Sequence, residues 1–151
     1  MTRQTPEQRL LAKIKIDPTD PDACWVWTGT VSTDGYGPHA AVWRVYNGPV
    51  PAGLTLDHTC HVRHCVSPAH LRLATRKEQQ ENRAGAQRNS TSGIRGVHWN
   101  SQAGKWRVQV RHNRRLHIGG FFDDLDEAAE AARALRNQLF THNDADRTEA
   151  E

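Results

Sequence analysis

The chain is short of the material from which a self-sufficient core is made. Only 36% of its 151 residues are hydrophobic and its mean hydropathy is −0.78, so modest cores are expected rather than one large one. A chain of this length forms one domain or two small ones, and small domains often need a metal, a disulfide or a partner to become stable. No apolar run approaches the roughly twenty residues that span a bilayer, and no signal-peptide pattern is visible. Cysteine is also scarce: Cys24, Cys60 and Cys65 are all there are, an odd count that excludes a fully paired disulfide scaffold. These features read as a cytosolic chain. Acidic residues are missing over one long stretch, since none lies between Glu81 and Asp123. The same stretch holds eight basic residues: Arg83, Arg88, Arg95, Lys105, Arg107, Arg111, Arg114 and Arg115. A block of this kind, interleaved with Trp99 and Trp106, predicts a polyanionic partner.

What is present is concentrated in residues 57–71. Cys60, Cys65 and His70 follow a C-x4-C-x4-H spacing directly behind the pair Asp57-His58. Thiolates and imidazoles at short loop spacing suit tetrahedral zinc, and Cys24 supplies a fourth ligand to complete a Cys3His set. His61 and His64 are rivals for the histidine position; the Pro68-Ala69-His70-Leu71 turn favours His70. A closed four-ligand site is structural, and its binding energy would support a small core. Asp57-His58 suits a different task. A histidine at the end of a strand takes a proton from water, while Asp57 offers a carboxylate to a hard divalent ion such as Mg2+. A strand delivering a histidine, a metal-organised loop and then a helix would form a ββα-metal unit.

Around this motif, Pro6 to Ile16 reads as an amphipathic helix stopped by the prolines at 18 and 21. Cys24–Thr28 reads as a strand, followed by a turn at Asp34-Gly35-Tyr36-Gly37. Ala40–Tyr46 is compatible with helix or strand. Leu54–Leu56 is a short strand leading into Asp57, and Thr75–Ala86 a polar helix opened by a Thr75/Glu78 capping box. The polar run 87–93 is the expected linker. Beyond it, Ile94–Trp99, Trp106–Arg111 and Arg115–Phe121 alternate as three strands of an antiparallel sheet. Asp124 and Glu127 open a helix with Leu125, Ala128, Ala129, Ala132, Leu135 and Leu139 on one face. The fold class is therefore α+β, with units at 1–86 and 94–142 and a frayed tail at 143–151.

The residues Cys24-Trp25-Val26-Trp27, Gly35-Tyr36-Gly37, Asp57-His58-Thr59-Cys60 and Cys65-Val66-Ser67-Pro68-Ala69-His70-Leu71 resemble the zinc-containing HNH endonucleases. These occur in phages and group I introns, where many are homing enzymes. The resemblance covers about residues 23–85. It implies Asp57 as a metal ligand, His58 as general base and Arg44 as a phosphate-binding arginine. The family normally carries an asparagine on the helix after the zinc loop, whose carbonyl binds the catalytic metal. That position is Gln79 here, and Asn82, almost one helical turn later, is the alternative ligand. Glu78 is a further oxygen donor nearby.

Residues 91–140 resemble the AP2 DNA-binding domain through Gly93-Ile94-Arg95-Gly96-Val97, Trp106-Arg107-Val108-Gln109-Val110-Arg111, His117-Ile118-Gly119 and Asp126-Glu127-Ala128-Ala129. That resemblance implies a three-stranded sheet laid into the major groove of double-stranded DNA with a helix behind it. Arg95, Trp99, Arg107, Gln109, Arg111 and His117 are the candidate DNA contacts. Arginine reads guanine, glutamine reads adenine, and other cations meet phosphate. Alternation divides these residues between two faces, and Trp106 and Val108 could instead be core. The expectation is an HNH endonuclease with Zn2+ and Mg2+, recognising DNA through an AP2-like sheet. One site per chain cuts one strand, so a double-strand break needs a homodimer or two events. A decayed nuclease retained as a DNA-binding regulator is the second reading, and an RNA-binding factor the third.

Overall fold

A computed structural model of the protein describes residues 4–30 and 37–148; of the expected turn, Asp34, Gly35 and Tyr36 lie outside the described residues. The chain divides into two compact units, Met1–Gln80 and Glu81–Glu151.

In the first unit Thr5 caps α1 (Pro6–Leu11) through a reciprocal box with Gln8, and Pro6 occupies the first turn, where its missing N–H costs nothing. The helix stops at Leu11 instead of reaching Ile16. Ile14 and Lys15 form β1 (Ile14–Lys15), which pairs antiparallel with β2 (Val26–Trp27), so the strand pairing overrides the helical periodicity. Ala40–Tyr46 resolves as helix within α2 (Pro38–Asn47), with Val42 buried and Gly48 ending it at φ 82°. Trp25 stacks edge-on against Tyr46 at 5.7 Å and holds the segment around Cys24 to α2. β3 (Thr55–His58) pairs antiparallel with β4 (Leu71–Ala74), placing Asp57 opposite Arg72 and His58 opposite Leu71. The sequence reading did not include β4. A 3-10 turn at Pro68–His70 precedes it. α3 (Arg76–Glu81) follows, opened by the Thr75/Glu78 box: Glu78 accepts from the Thr75 amide and hydroxyl at 2.7 and 2.8 Å. It is shorter than the expected 75–86.

The second unit is a three-stranded sheet in the order β5 (Val97–Asn100), β6 (Lys105–His112), β7 (Arg115–Phe122), covered on one face by α4 (Leu125–Leu139). Asp124 caps α4 by accepting from the amides of Asp126 and Glu127. Val97, Val108, Ala128 and Ala132 are fully buried between sheet and helix. The packing is close enough that a Cβ on Gly119 would come within 2.5 Å of Val108 Cγ1. Gly119 is the extra residue of a β-bulge, since Val108 pairs with Gly120 and Gln109 with Ile118.

Two expectations are corrected here. Residues 87–93, expected as a linker, fall within the second unit, which begins at Glu81 rather than after residue 86. Arg95 donates to the carbonyls of Glu81 and Arg83, Thr141 donates to the Glu81 carboxylate, and Ser92 donates to the Val97 carbonyl. The tail from Asn143 is likewise ordered through Arg147: Asn143 is buried, and α5 (Asp144–Thr148) is tied down by a forked ion pair from Arg136 to Asp146. Arg136 is itself buried and also donates to the Arg95 carbonyl, so an α4 position that alternation leaves polar is the anchor of the C-terminal segment.

Burial raises the Asp146 carboxyl, but hydrogen bonding and charge from Arg136 outweigh it and hold the group below its ordinary range. Its stabilising contribution is therefore complete above about pH 3.8 and is lost as pH falls further, through the depressed value. Asp146→Asn should destabilise the second unit by about 3 kcal/mol, because it leaves the buried Arg136 charge uncompensated. Denaturant melts at neutral pH, compared with melts below pH 3.8, check both the loss and the disappearance of this acid limb in the variant.

Candidate active site and nucleic-acid interface

The ligand set expected from spacing converges. Cys24, Cys60, Cys65 and His70 place their ligand atoms within 4.8 Å of one another, while His61 and His64 are exposed and take no part in this cluster. His70 Nδ1 lies 3.5 Å from Cys24 Sγ and 3.4 Å from Cys65 Sγ. Tetrahedral bonds of about 2.3 Å to sulfur and about 2.05 Å to nitrogen require an S···N edge of about 3.6 Å, so the residues fit a zinc-sized ion. Main-chain bonds build this arrangement. The Val66 amide donates to Trp25 and the Trp27 amide to His64, which bring Cys24 beside Cys65, and the Thr59 amide and hydroxyl both donate to the His70 carbonyl. Burial, with the neighbouring thiols adding to it, pushes the Cys24 thiol up to about 12, and burial outweighs hydrogen bonds from the Ser67 main chain and Cys24 to raise Cys65. Cys24 and Cys65 therefore stay protonated near neutrality unless a cation compensates their charge.

The pair expected to be catalytic, Asp57 and His58, stands on the strand that leads into this loop. His58 Nε2 is 2.9 Å from the Cys65 carbonyl oxygen. A carbonyl only accepts, so Nε2 carries the proton and the lone pair of the neutral ring is on Nδ1. Cys65 therefore joins both sites, with its thiol among the metal ligands and its carbonyl orienting His58. Asp57 is buried, and its Oδ2 accepts from both Nε and Nη2 of Arg72 at 3.1 and 3.0 Å. Gln79 donates from Nε2 to the Leu56 carbonyl at 3.1 Å, which fixes its amide beside the residue preceding Asp57. Asn82 is placed elsewhere: it is buried in the second unit, where its Oδ1 accepts from the Asp144 amide. Glu78 is engaged in capping α3. Arg44 lies exposed in the last turn of α2.

Two residues at this site escaped the sequence reading. Arg72 would have been found by pairing Leu71–Ala74 with Thr55–His58. His39, in the first turn of α2, sets its ring edge-on to His58 with centroids 5.4 Å apart. Burial and the adjacent His58 lower its proton affinity, so it favours the neutral form. Its ring rests on Gly37, where a Cβ would come within 2.5 Å of it; the Gly37 φ of −62° is ordinary, so glycine is required there for space alone. No local pattern signals such a contact.

In the second unit the sheet separates the proposed contacts. Trp106, Val108 and Val110 turn toward α4, so Arg107, Gln109 and Arg111 share the opposite, open face. His117 pairs with Val110 and lies near His112, on the helix side. Trp99 pairs with Trp106 and meets it edge-on at 5.0 Å, on the same side, with half its surface exposed. Arg95 is turned inward over the Phe140 ring and onto main-chain carbonyls, and burial lowers its guanidinium to about 10. The candidate interface thus keeps Arg107, Gln109 and Arg111 together and leaves Arg95, Trp99 and His117 off that face.

The ligand set predicts a specific pattern of metal content. Ser at position 24, 60 or 65, or Ala at 70, should reduce bound zinc from one per chain to a small fraction and lower the melting temperature. His61→Ala and His64→Ala should leave both unchanged. Metal analysis by mass spectrometry with thermal melts checks this.

An HNH endonuclease family model matches residues 36–81. Three proteins of Escherichia phage T7 are similar to the chain. Protein 3.8 is 34% identical over 98 residues, covering 65% of this chain and 80% of that protein. Protein 7.7 is 35% identical over 68 residues, covering 38% of this chain and 52% of its own length. Protein 2.8 is 32% identical over 81 residues, covering 47% and 54%. The chain thus spans about half the length of Proteins 7.7 and 2.8. No solved structure matches it. Among the described residues no helix is long and apolar enough to cross a membrane. This chain belongs to the family of phage T7 Protein 3.8, and its residues 36–81 are an HNH endonuclease domain.

Proposed function

We propose that the protein is a metal-dependent DNA endonuclease of the homing type, working in the cytoplasm of a phage-infected bacterium. The observation that carries this reading is the His58–Cys65 hydrogen bond, which holds the imidazole in the tautomer a general base needs. His58 Nδ1 takes a proton from water as the water oxygen attacks the scissile phosphorus. The bond to the 3′ oxygen breaks, leaving a 5′ phosphate and a 3′ hydroxyl. Asp57 and the Gln79 carbonyl are hard oxygen donors that would hold a magnesium-like cation, whose charge would stabilise the phosphorane-like transition state and leaving group. Arg72 fixes the Asp57 carboxylate through Oδ2. The bond from Gln79 Nε2 to Leu56 offsets the mobility of the longer glutamine stem. Zinc at the Cys3His group would be structural, stiffening the loop whose carbonyl positions His58. Arg44 would contact phosphate, and an AP2-like sheet bearing Arg107, Gln109 and Arg111 would hold duplex DNA. Double-strand cleavage would use two copies or two successive nicks.

The Asp57–Arg72 ion pair favours a second reading, a DNA-binding regulator whose nuclease is decayed. An arginine that donates twice to one oxygen of the Asp57 carboxylate opposes cation entry.

Incubation with supercoiled plasmid carrying the flanking genomic DNA separates the two. Mg2+-dependent nicking, abolished by EDTA and reduced about 10²–10⁴-fold in His58→Ala, is the expected result. Gln79→Asn should cut at least as fast as the wild type. Cutting only by Gln79→Asn would establish the decayed regulator, and no cutting by either would remove the catalytic reading. Binding to duplex DNA should weaken steeply as salt rises, with Arg107→Ala and Arg111→Ala each flattening that dependence.

A further inference from the structure

The open face of the sheet carries more than its polar row. β7 lies at the edge of the sheet beside β6, and its residues opposite Arg107, Gln109 and Arg111 are Phe121, Ile118 and Leu116. These three large apolar side chains are 47%, 46% and 46% exposed, whereas Val97, Val108 and Val110 on the other face of the same sheet are buried. The open face therefore presents a row of two arginines and a glutamine alongside an unbroken row of leucine, isoleucine and phenylalanine. No acidic residue occurs from position 82 to 122, so the charge of this face is complementary to a polyanion.

Resting on the proposed reading of the sheet as a DNA-binding surface, we infer that the Leu116–Ile118–Phe121 row reads thymine methyl groups in the major groove of duplex DNA. Phosphate attraction alone gives no use for apolar side chains, because backbone contacts are made by charged and polar groups. Among base edges in the major groove, the C5 methyl of thymine is the apolar group. Arginine and glutamine beside it match the guanine and adenine edges. The pairing of each apolar residue with a polar one places a methyl contact and a hydrogen-bonding contact side by side across neighbouring strands. RNA lacks that methyl group, and its deep, narrow major groove excludes side chains, so the apolar row also selects DNA. A second copy of the chain is the competing occupant of such a surface.

One DNA sequence prepared twice, with thymidine or with deoxyuridine, isolates the methyl group. The full chain would be titrated onto each duplex without added divalent cation, beside a Leu116→Thr/Ile118→Thr/Phe121→Thr variant that keeps strand-forming residues. The wild type should bind the thymidine duplex about threefold or more tightly, and the variant should bind both equally. Equal wild-type affinity for the two duplexes would overturn the inference and leave the DNA-binding reading standing. Absence of binding to either would overturn both. Sedimentation at micromolar concentration supplies the remaining arm. A monomeric wild type supports the inference, and a dimer that the variant dissociates would overturn it by assigning the row to self-association.

Discussion

Crowding three thiols and an imidazole within 4.8 Å is a problem of charge, and the first unit is organised around it. The four groups come from three places in the chain: the segment before β2, the end of β3 and the turn before β4. Main-chain hydrogen bonds, not side-chain packing, bring them together, since the Trp25 and His64 carbonyls each accept from the facing segment. A unit whose fully buried side chains are as small as Val42 and Val66 has little apolar area to hold such a loop closed. A cation held by these four groups would supply what the core lacks. The same loop orients His58, because Cys65 contributes its thiol to the cluster and its carbonyl to that ring.

The second unit faces a different constraint. Its helix lies so close to the sheet that Gly119 and two alanines are needed at the contact. The bulge at Gly119 lets β7 pass this point while Gln109 and Ile118 stay paired on the open face. Arg136 then anchors the C-terminal helix to the rim of the sheet through Asp146. Arg95 and Glu81 are drawn into the same buried polar region, with Thr141 bonded to the Glu81 carboxylate. A stretch that looks basic and exposed in the sequence thus separates into internal ties and a smaller set of outward cations.

On the proposed reading the two units would divide the labour of a nuclease along chemical lines. The first holds soft thiolate and imidazole ligands beside a hard carboxylate and amide pair, so that a structural ion and a catalytic one have distinct preferences. The second carries Arg107, Gln109 and Arg111 together on one face of its sheet. His39 adds a neutral imidazole against the base, supported by the bare backbone of Gly37.

Features coded by short spacing were legible in the sequence. The Cys24, Cys60, Cys65 and His70 set, the Asp57-His58 strand end, the Thr75/Glu78 box and the strand–strand–strand–helix order after residue 94 all depend on neighbours a few residues apart or on one ligand type. Features set by pairing between distant segments were not. Arg72 meets Asp57 only because β4 returns beside β3, and Gln79 rather than Asn82 reaches that strand because the chain passes to its second unit at Glu81. Which side of the sheet meets α4 was left open by alternation and settled by the burial of Val108 and Val110. Local codes name the chemistry a chain carries; only strand register and burial decide which of those side chains stand together and which face outward, because both are properties of contacts the sequence does not order linearly.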